Sequence, residues 1–356
     1  AILRTMGATS GAVMRIFMMT GAAIGVTGTV AGVVLGVVVC LNVESIRQFF
    51  SWLSGTTLFN PELYFLSQLP ARMDAGAAVE AVYSINTGFG SLSGRQAFRS
   101  SSQARDLSRR LVLSNAAGVG RDFDPEVVRA AMLIRAASLV RGHSAVRPEV
   151  VETILAMLAH DVVPVVPEYG SLGASGDLIP LAHTALVMSR AEEGESEIDS
   201  GEAWLAGQRM SGLAAMREAG IARIVLGPKE GLAILNGTSF STAQTALALA
   251  DAETLLATAE IAAAMSIEAL CGFGDAFVAE LHEARGHPGQ IACAANIRAL
   301  LAGSALIDGG AESDPKRQPP QDAYSLRCVP QVLGPVRDTL AFVRGIVETE
   351  INAATD

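Results

Sequence analysis

The stretch GSLGASGDLIP, residues 170–180, sets Ala174, Ser175 and Gly176, three of the smallest residues, ahead of an acid, Asp177. Glycine and serine clusters of this kind ordinarily make turns. Held in a tight bend, though, the tripeptide is a reagent. The Gly176 amide nitrogen can attack the Ala174 carbonyl and close a five-membered ring around Ser175. Loss of water from the ring and of the serine hydroxyl then leaves a methylidene-imidazolone. Glycine suits the attacking position because nothing blocks its nitrogen, and alanine suits the attacked one because a methyl leaves the carbonyl open. The product is an electrophile, a chemistry that ordinary side chains lack, and it needs no added cofactor.

Other chemical patterns fall short of their templates. His282-Glu283 with His287 places the histidines five apart, whereas the zinc-protease pattern needs four to put both on one helical face, so no metal is expected. Gly88, Gly90 and Gly94 have one residue too many for a dinucleotide fingerprint and no βαβ context. Gly-Ala-Ser-Gly-Asp around Ser175 fails the serine-hydrolase elbow at its last position. His143, His160 and His183 sit in mostly apolar surroundings and read as structural or surface residues. Cys40, Cys271, Cys293 and Cys328 lie far apart without a CxxC, which points to a reducing compartment.

The elements that must position the tripeptide come mostly after residue 74. Asp124-Pro125-Glu126 reads as a helix start, and Pro148 as the next. Val150, Val151, Ile154, Leu155 and Leu158 give that second helix a two-row apolar face, ending near His160. The prolines of VVPVVPEYG keep the chain extended into the bend. The acidic EEGESEIDSGE reads as a solvated loop or hairpin, and DAETLLATAEIAAAMSIEAL as a long helix suited to close packing. No long alternating pattern appears, so this part is expected to be mainly helical.

The chain has 356 residues, 50% of them apolar and 17% charged, and its mean hydropathy is positive. The apolar excess is concentrated early. Ile16 to Val43 is a run of 28 residues without a charge, long enough as a helix to cross a hydrocarbon core of about 30 Å. Gly21, Gly25, Gly28, Gly32 and Gly36 repeat at the small-residue spacing of membrane helices. Arg4 and Arg15 would keep the N-terminal flank in the cytoplasm. Four arginines against three acids through Asp74 leave +1 there and −11 of the total −10 for the remainder. An acidic globular part argues against nucleic acid as a partner.

Two resemblances follow. AILRTMGATSGAVMRIFMMTGAAIGVTGTVAGVVLG with NPELYFLSQLPARMD resembles the permease subunit of lipoprotein-releasing ABC transporters over residues 1–74. That resemblance implies one transmembrane helix at about 16–43, an inner-membrane anchor and an ABC ATPase subunit as partner for the part before Arg15. From about residue 76, YSINTGFG, LVLSNAAGVG, RGHSAVRPEVVE, PVVPEYGSLGASGDLIPLAH, KEGLAILNGT, FGDAFVAELHEARGHPGQI, QDAYSLRCVPQV and EINAATD occur in order. Together they resemble the aromatic amino acid ammonia-lyases, most closely those acting on histidine.

The second resemblance implies a long helix bundle for residues 75–356, a cytoplasmic homotetramer, and elimination of ammonia from an aromatic L-amino acid to give an unsaturated acid such as urocanate. It implies that Ala174, Ser175 and Gly176 form the methylidene-imidazolone and that no metal is used. Tyr83 matches the tyrosine that removes the substrate β-proton. Asn236 matches a residue that hydrogen-bonds near the electrophile and the substrate amine. Arg327 matches the residue gripping the α-carboxylate, for which a planar fork is suited. Tyr324 and Gln321 fall on positions around the substrate.

Asn115 stands where histidine lyases carry a histidine facing the substrate ring and where phenylalanine and tyrosine lyases carry leucine. A buried amide can meet an imidazole or a phenol but not a phenyl ring, since an unpaired amide costs about 1–3 kcal/mol. Histidine is therefore the first expectation and tyrosine the second, with an aminomutase as a further variant. Family chains normally also have sequence before the catalytic tyrosine, and continue beyond residue 356 into helices carrying another catalytic glutamate. A chimera with an incomplete lyase part, of weak or no activity by itself, is the expectation. A transporter component is the competing reading. The related fumarase and argininosuccinate lyases are excluded by the absence of their signature loop of serines, Met-Pro and Lys.

Overall fold

The computed structural model describes residues 87–89, 101–172, 175–309 and 321–354. The expected transmembrane run 16–43, Tyr83 and Ala174 lie outside the described residues. Two compact units divide the chain, Ala1–Arg99 and Ser100–Asp356. Of the first, only residues 87–89 are described, where the Thr87 hydroxyl donates to the Gly88 carbonyl at 3.0 Å. All elements below belong to the second.

This unit is mainly helical, as its sequence pattern predicts. Helix α1 (Ser101–Asn115) leads to strand β1 (Val119–Asp122) and helix α2 (Pro125–Leu139). The N-cap Asp124 makes no side-chain cap bond, so α2 starts on proline geometry and on the Asp124 carbonyl, which accepts from the Val127 and Val128 amides. Helix α3 (Pro148–Ala159) again opens on proline. Val150, Val151 and Ile154 are buried as expected, but Leu155 is exposed and Met157 takes a fully buried place. Short strands β2 (Val163–Pro164) and β3 (Pro167–Tyr169) confirm the extended run. Antiparallel pairing of β3 with β1 aims the chain at the bend.

Helix α4 (Leu178–Met188) follows directly, then β4 (Ser189–Arg190). The acidic stretch is a loop before the hairpin β5 (Glu202–Leu205) and β6 (Gln208–Ser211), to which β2 adds as a third strand. Helix α5 (Gly212–Glu218) and β7 (Ile224–Val225), parallel to β4, complete this region. Arg223 donates to the carbonyls of Leu186, Val187 and Ser189, closing the C-terminal end of α4. Burial, with Arg109 and Arg190 nearby, pushes its guanidinium down to about 10.

Helix α6 (Glu230–Leu235) precedes the long helix α7 (Ser239–Ala269). Leu249, Leu256, Glu260, Ala264 and Ile267 lie along the buried side of α7, at spacings that keep one face inward over about five turns. Its N-terminal end joins the main core through Phe240 and Ala243, with the Phe240 and Phe123 rings 5.6 Å apart. Its C-terminal end joins a second, smaller cluster around Ile267, Phe277, Cys293 and Ile297. There the helix closes in a Schellman pattern: Gly272 N–H donates to the Ile267 carbonyl at 2.8 Å and Cys271 N–H to Glu268 at 3.0 Å. Cys271 takes the left-handed position at φ 50°, where glycine is usual.

Helices α8 (Ala279–Arg285) and α9 (Pro288–Leu301) pack on that end. His282 is a structural residue here, its ring nitrogens bonded to the Ala276 carbonyl at 3.0 Å and to Gln290 at 2.8 Å. The single turn α10 (Tyr324–Arg327) leads into α11 (Val329–Ile351), which packs along α7 and α9. Among the described residues no helix is long and apolar enough to cross a membrane.

Candidate active site

The bend closes as the small residues require. The Leu172 carbonyl accepts from Ser175 N–H at 2.9 Å and Gly176 N–H at 3.2 Å, while Leu172 N–H donates back to the Gly176 carbonyl at 3.0 Å. Ser175 is exposed and Gly176 buried. Gly176 has φ +82°, and a Cβ there would lie 2.5 Å from the Gly237 carbonyl oxygen. Only glycine meets both conditions. Asp177 N–H then donates to the same Gly237 oxygen at 2.8 Å. The bend is thus docked, backbone on backbone, against the Asn236-Gly237 turn that ends α6, and half-buried Asn236 adjoins it.

Asp177 does more than follow the tripeptide. Its fully buried carboxylate accepts from the Ser171 hydroxyl at 2.6 Å, the Ser241 N–H at 2.8 Å and the Ser241 hydroxyl at 2.7 Å. Ser241 lies in the first turn of α7, where unpaired amides and the helix dipole favour a negative charge. One side chain therefore ties the bend, α4 and α7 together. Its acidic type next to the tripeptide was the only sequence signal, because its main partner is 64 positions away.

Asn115 ends α1, its side-chain amide donating to the Leu111 carbonyl at 2.9 Å. Three residues on, Gly118 N–H donates to His183 Nε2 at 3.1 Å. His183 belongs to α4, so the helix that starts at the bend also holds the segment after Asn115. Burial keeps the His183 imidazole below the ordinary histidine range, in keeping with a ring nitrogen that accepts rather than donates. From the far end of α11, Glu350 accepts from the Thr238 hydroxyl at 2.5 Å. Ser175, Gly176 and Asn236 are thereby gathered around the start of α7, while Asn115 ends the helix whose following segment is held by α4.

Tyr324, Arg327 and Gln321 are not in that group. Arg327 donates to the Gln321 amide oxygen, and Tyr324 is 71% exposed. Their turn lies at the opposite end of α7, with Leu326 packed on the Ile267 cluster. From Ser241 to Ile267 the helix rises roughly 40 Å at 1.5 Å per residue. Within one chain the reactive bend and the arginine do not meet.

The residues present fit a methylidene-imidazolone: the bend is closed, Ser175 is open to solvent, and any side chain at Gly176 would strike the Gly237 backbone. In that group Ala174, Ser175 and Gly176 would be the atoms of the ring.

Residues 70–356 match the family described as aromatic amino acid lyase. The chain is 48% identical over 293 residues to histidine ammonia-lyase of Anaeromyxobacter sp. (strain K), covering 80% of this chain and 54% of that one. In structure it is similar to the phenylalanine aminomutase of Pantoea agglomerans, with TM-score 0.69 and 34% identity over 79% of this chain and 55% of that one. It is also similar to the histidine ammonia-lyase of Trypanosoma cruzi, with TM-score 0.65 and 36% identity over 77% and 47%. The chain spans about half the length of these relatives. The family match leaves residues 1–69 aside, and none of these likenesses supports a transporter permease there. By the span of the match and its level of identity, the chain belongs to the aromatic amino acid lyase family.

Proposed function

We propose that this chain carries the electrophile-forming part of an ammonia-lyase that acts on an aromatic L-amino acid, L-histidine first, releasing ammonia and a trans-unsaturated acid such as urocanate. The observation that carries the reading is the Ser175–Gly176 bend, closed on Leu172 and pressed on Gly237 where no side chain fits. The methylidene-imidazolone from Ala174, Ser175 and Gly176 would supply the electron-poor centre that amino acid side chains lack. Tyr83 is assigned the substrate β-proton, which a phenol with an ordinary pKa near 10 can take only in a site that favours phenolate. Arg327, oriented by Gln321, binds the α-carboxylate beside Tyr324. Asn236 meets the substrate amine, and Asn115 the ring.

The roughly 40 Å between the bend and Arg327 along α7 supports a homotetramer in which each site draws on more than one copy. A second reading, an aminomutase or a lyase for tyrosine or phenylalanine, is supported by the likeness to the Pantoea aminomutase, and Asn115 in place of histidine favours the phenol of tyrosine over a phenyl ring within it.

Peptide mass spectrometry across residues 160–190 is the direct test. A fragment lighter by two waters than its sequence requires is expected. An unmodified fragment from folded protein overturns the reading. Product analysis with L-histidine, L-tyrosine and L-phenylalanine then separates lyase from aminomutase by whether free ammonia or a β-amino acid accumulates.

A further inference from the structure

The turn that holds Arg327 is fastened by a residue outside the set matched to substrate. Asp322 Oδ2 accepts from the Phe273 N–H at 2.6 Å. Phe273 comes just after the Schellman closure of α7, so its amide projects from a helix end that is already fixed. Gly272 makes room for the approach, since a Cβ there would lie 3.1 Å from Asp322 Oδ2 and 2.9 Å from Ile267 Cγ2. A second carboxylate secures the same loop: Asp308 Oδ1 accepts from Gly274 N–H at 2.9 Å, and Asp308 N–H donates to the Gly272 carbonyl at 2.8 Å. Four residues after Asp322, Leu326 turns inward onto the Ile267 cluster. Asp322 and Leu326 therefore anchor one side of the turn, which leaves Tyr324 outward. Gln321 meanwhile restrains the Arg327 guanidinium.

We infer that Asp322 is a positioning residue for Arg327 and Tyr324: its carboxylate, seated on the Phe273 amide, sets the turn that presents them from the end of α7. This rests on the reading of Arg327 as the carboxylate grip. An Asp at 322 is bound to backbone and needs no contact with substrate to act. Its loss lets the turn shift on α7, and a fork that must meet a carboxylate in two places suffers from small displacements.

The test uses Asp322→Ala and Asp322→Asn in the full chain. Hydrogen-exchange mass spectrometry reads the loop at 272–274 and the turn at 321–328, and steady-state kinetics with L-histidine reads KM and kcat. Asp322→Ala is expected to speed exchange in both segments together, with the 239–256 part of α7 unchanged. KM is expected to rise about tenfold while kcat falls by less than about threefold, the size of one charge-assisted hydrogen bond. Asp322→Asn keeps an acceptor oxygen and is expected to stay within about threefold of the unmutated chain in KM. Loosening confined to 272–274, loosening of the whole chain, or a KM unchanged in Asp322→Ala overturns the inference. If the unmutated chain itself releases no ammonia, the mass of the 160–190 peptide decides the lyase reading, and the exchange pattern alone decides the role of Asp322.

Discussion

Gly176 is constrained twice, by a left-handed backbone at φ +82° and by the Gly237 carbonyl where a Cβ would sit. Gly176→Ala is therefore expected to destabilise the unit by about 2 kcal/mol or more, seen as a lower urea midpoint. The 160–190 peptide should then keep its unmodified mass. His183 makes a different prediction. Its folded pKa lies below the ordinary value, about 6.5. Between the two values the unfolded chain binds the extra proton, so stability rises with pH in that window. The penalty is absent above about pH 6.5 and complete below the folded pKa. Urea midpoints measured from about pH 7 to 5 should fall, and His183→Gln should flatten the decline. Equal slopes for the two proteins would sink this assignment. The tripeptide was legible as a reagent because its chemistry is local. Asp177 and His183 were not, since each acts on a backbone amide 64 or 65 positions away, and sequence spacing carries no sign of such partners.

Helices α7, α9 and α11 meet at one buried carboxylate. Glu260 accepts from Asn296 Nδ2 and Arg337 Nη2, both at 2.7 Å. Burial, helped by the hydrogen bond and charge of Glu260, pushes the neighbouring Cys293 thiol up to about 12. Removing one partner of a fully buried ion pair costs about 3–5 kcal/mol. The Arg337 side chain is 32% exposed, so water offsets part of that loss and Glu260→Ala is expected to cost about 2 kcal/mol. A denaturant midpoint unchanged by the substitution would mean that the junction contributes nothing. The starts of α2 and α3 could be read from Asp-Pro-Glu and Pro148 because a helix start is written in its own few residues. The face of α3 was read less well. Leu155 and Met157, two residues apart, point to nearly opposite sides of the helix, and which side turns inward is decided by what packs on it, α2 above all, not by the helix's own pattern.

Which residues could share a site was the least legible matter of all. The motifs name Ser175, Asn236 and Arg327 as a set, yet one chain holds the first two at the start of α7 and the third at its end. That separation gives a clean mixing experiment. Ser175→Ala and Arg327→Ala chains, each inactive alone, should on co-expression in equal amounts recover about a quarter of the unmutated chain's own ammonia release, as independent choice of two different copies requires. Recovery of nothing would mean that a single copy supplies both residues.

The long helix is, in this light, a gauge. Two extra turns inserted at its middle would leave its tips facing nearly the same way, yet would push them apart by about 11 Å. One α11 could then no longer reach Thr238 through Glu350 and Glu260 through Arg337 together, and an arginine supplied by a neighbouring copy would fall out of register with the bend.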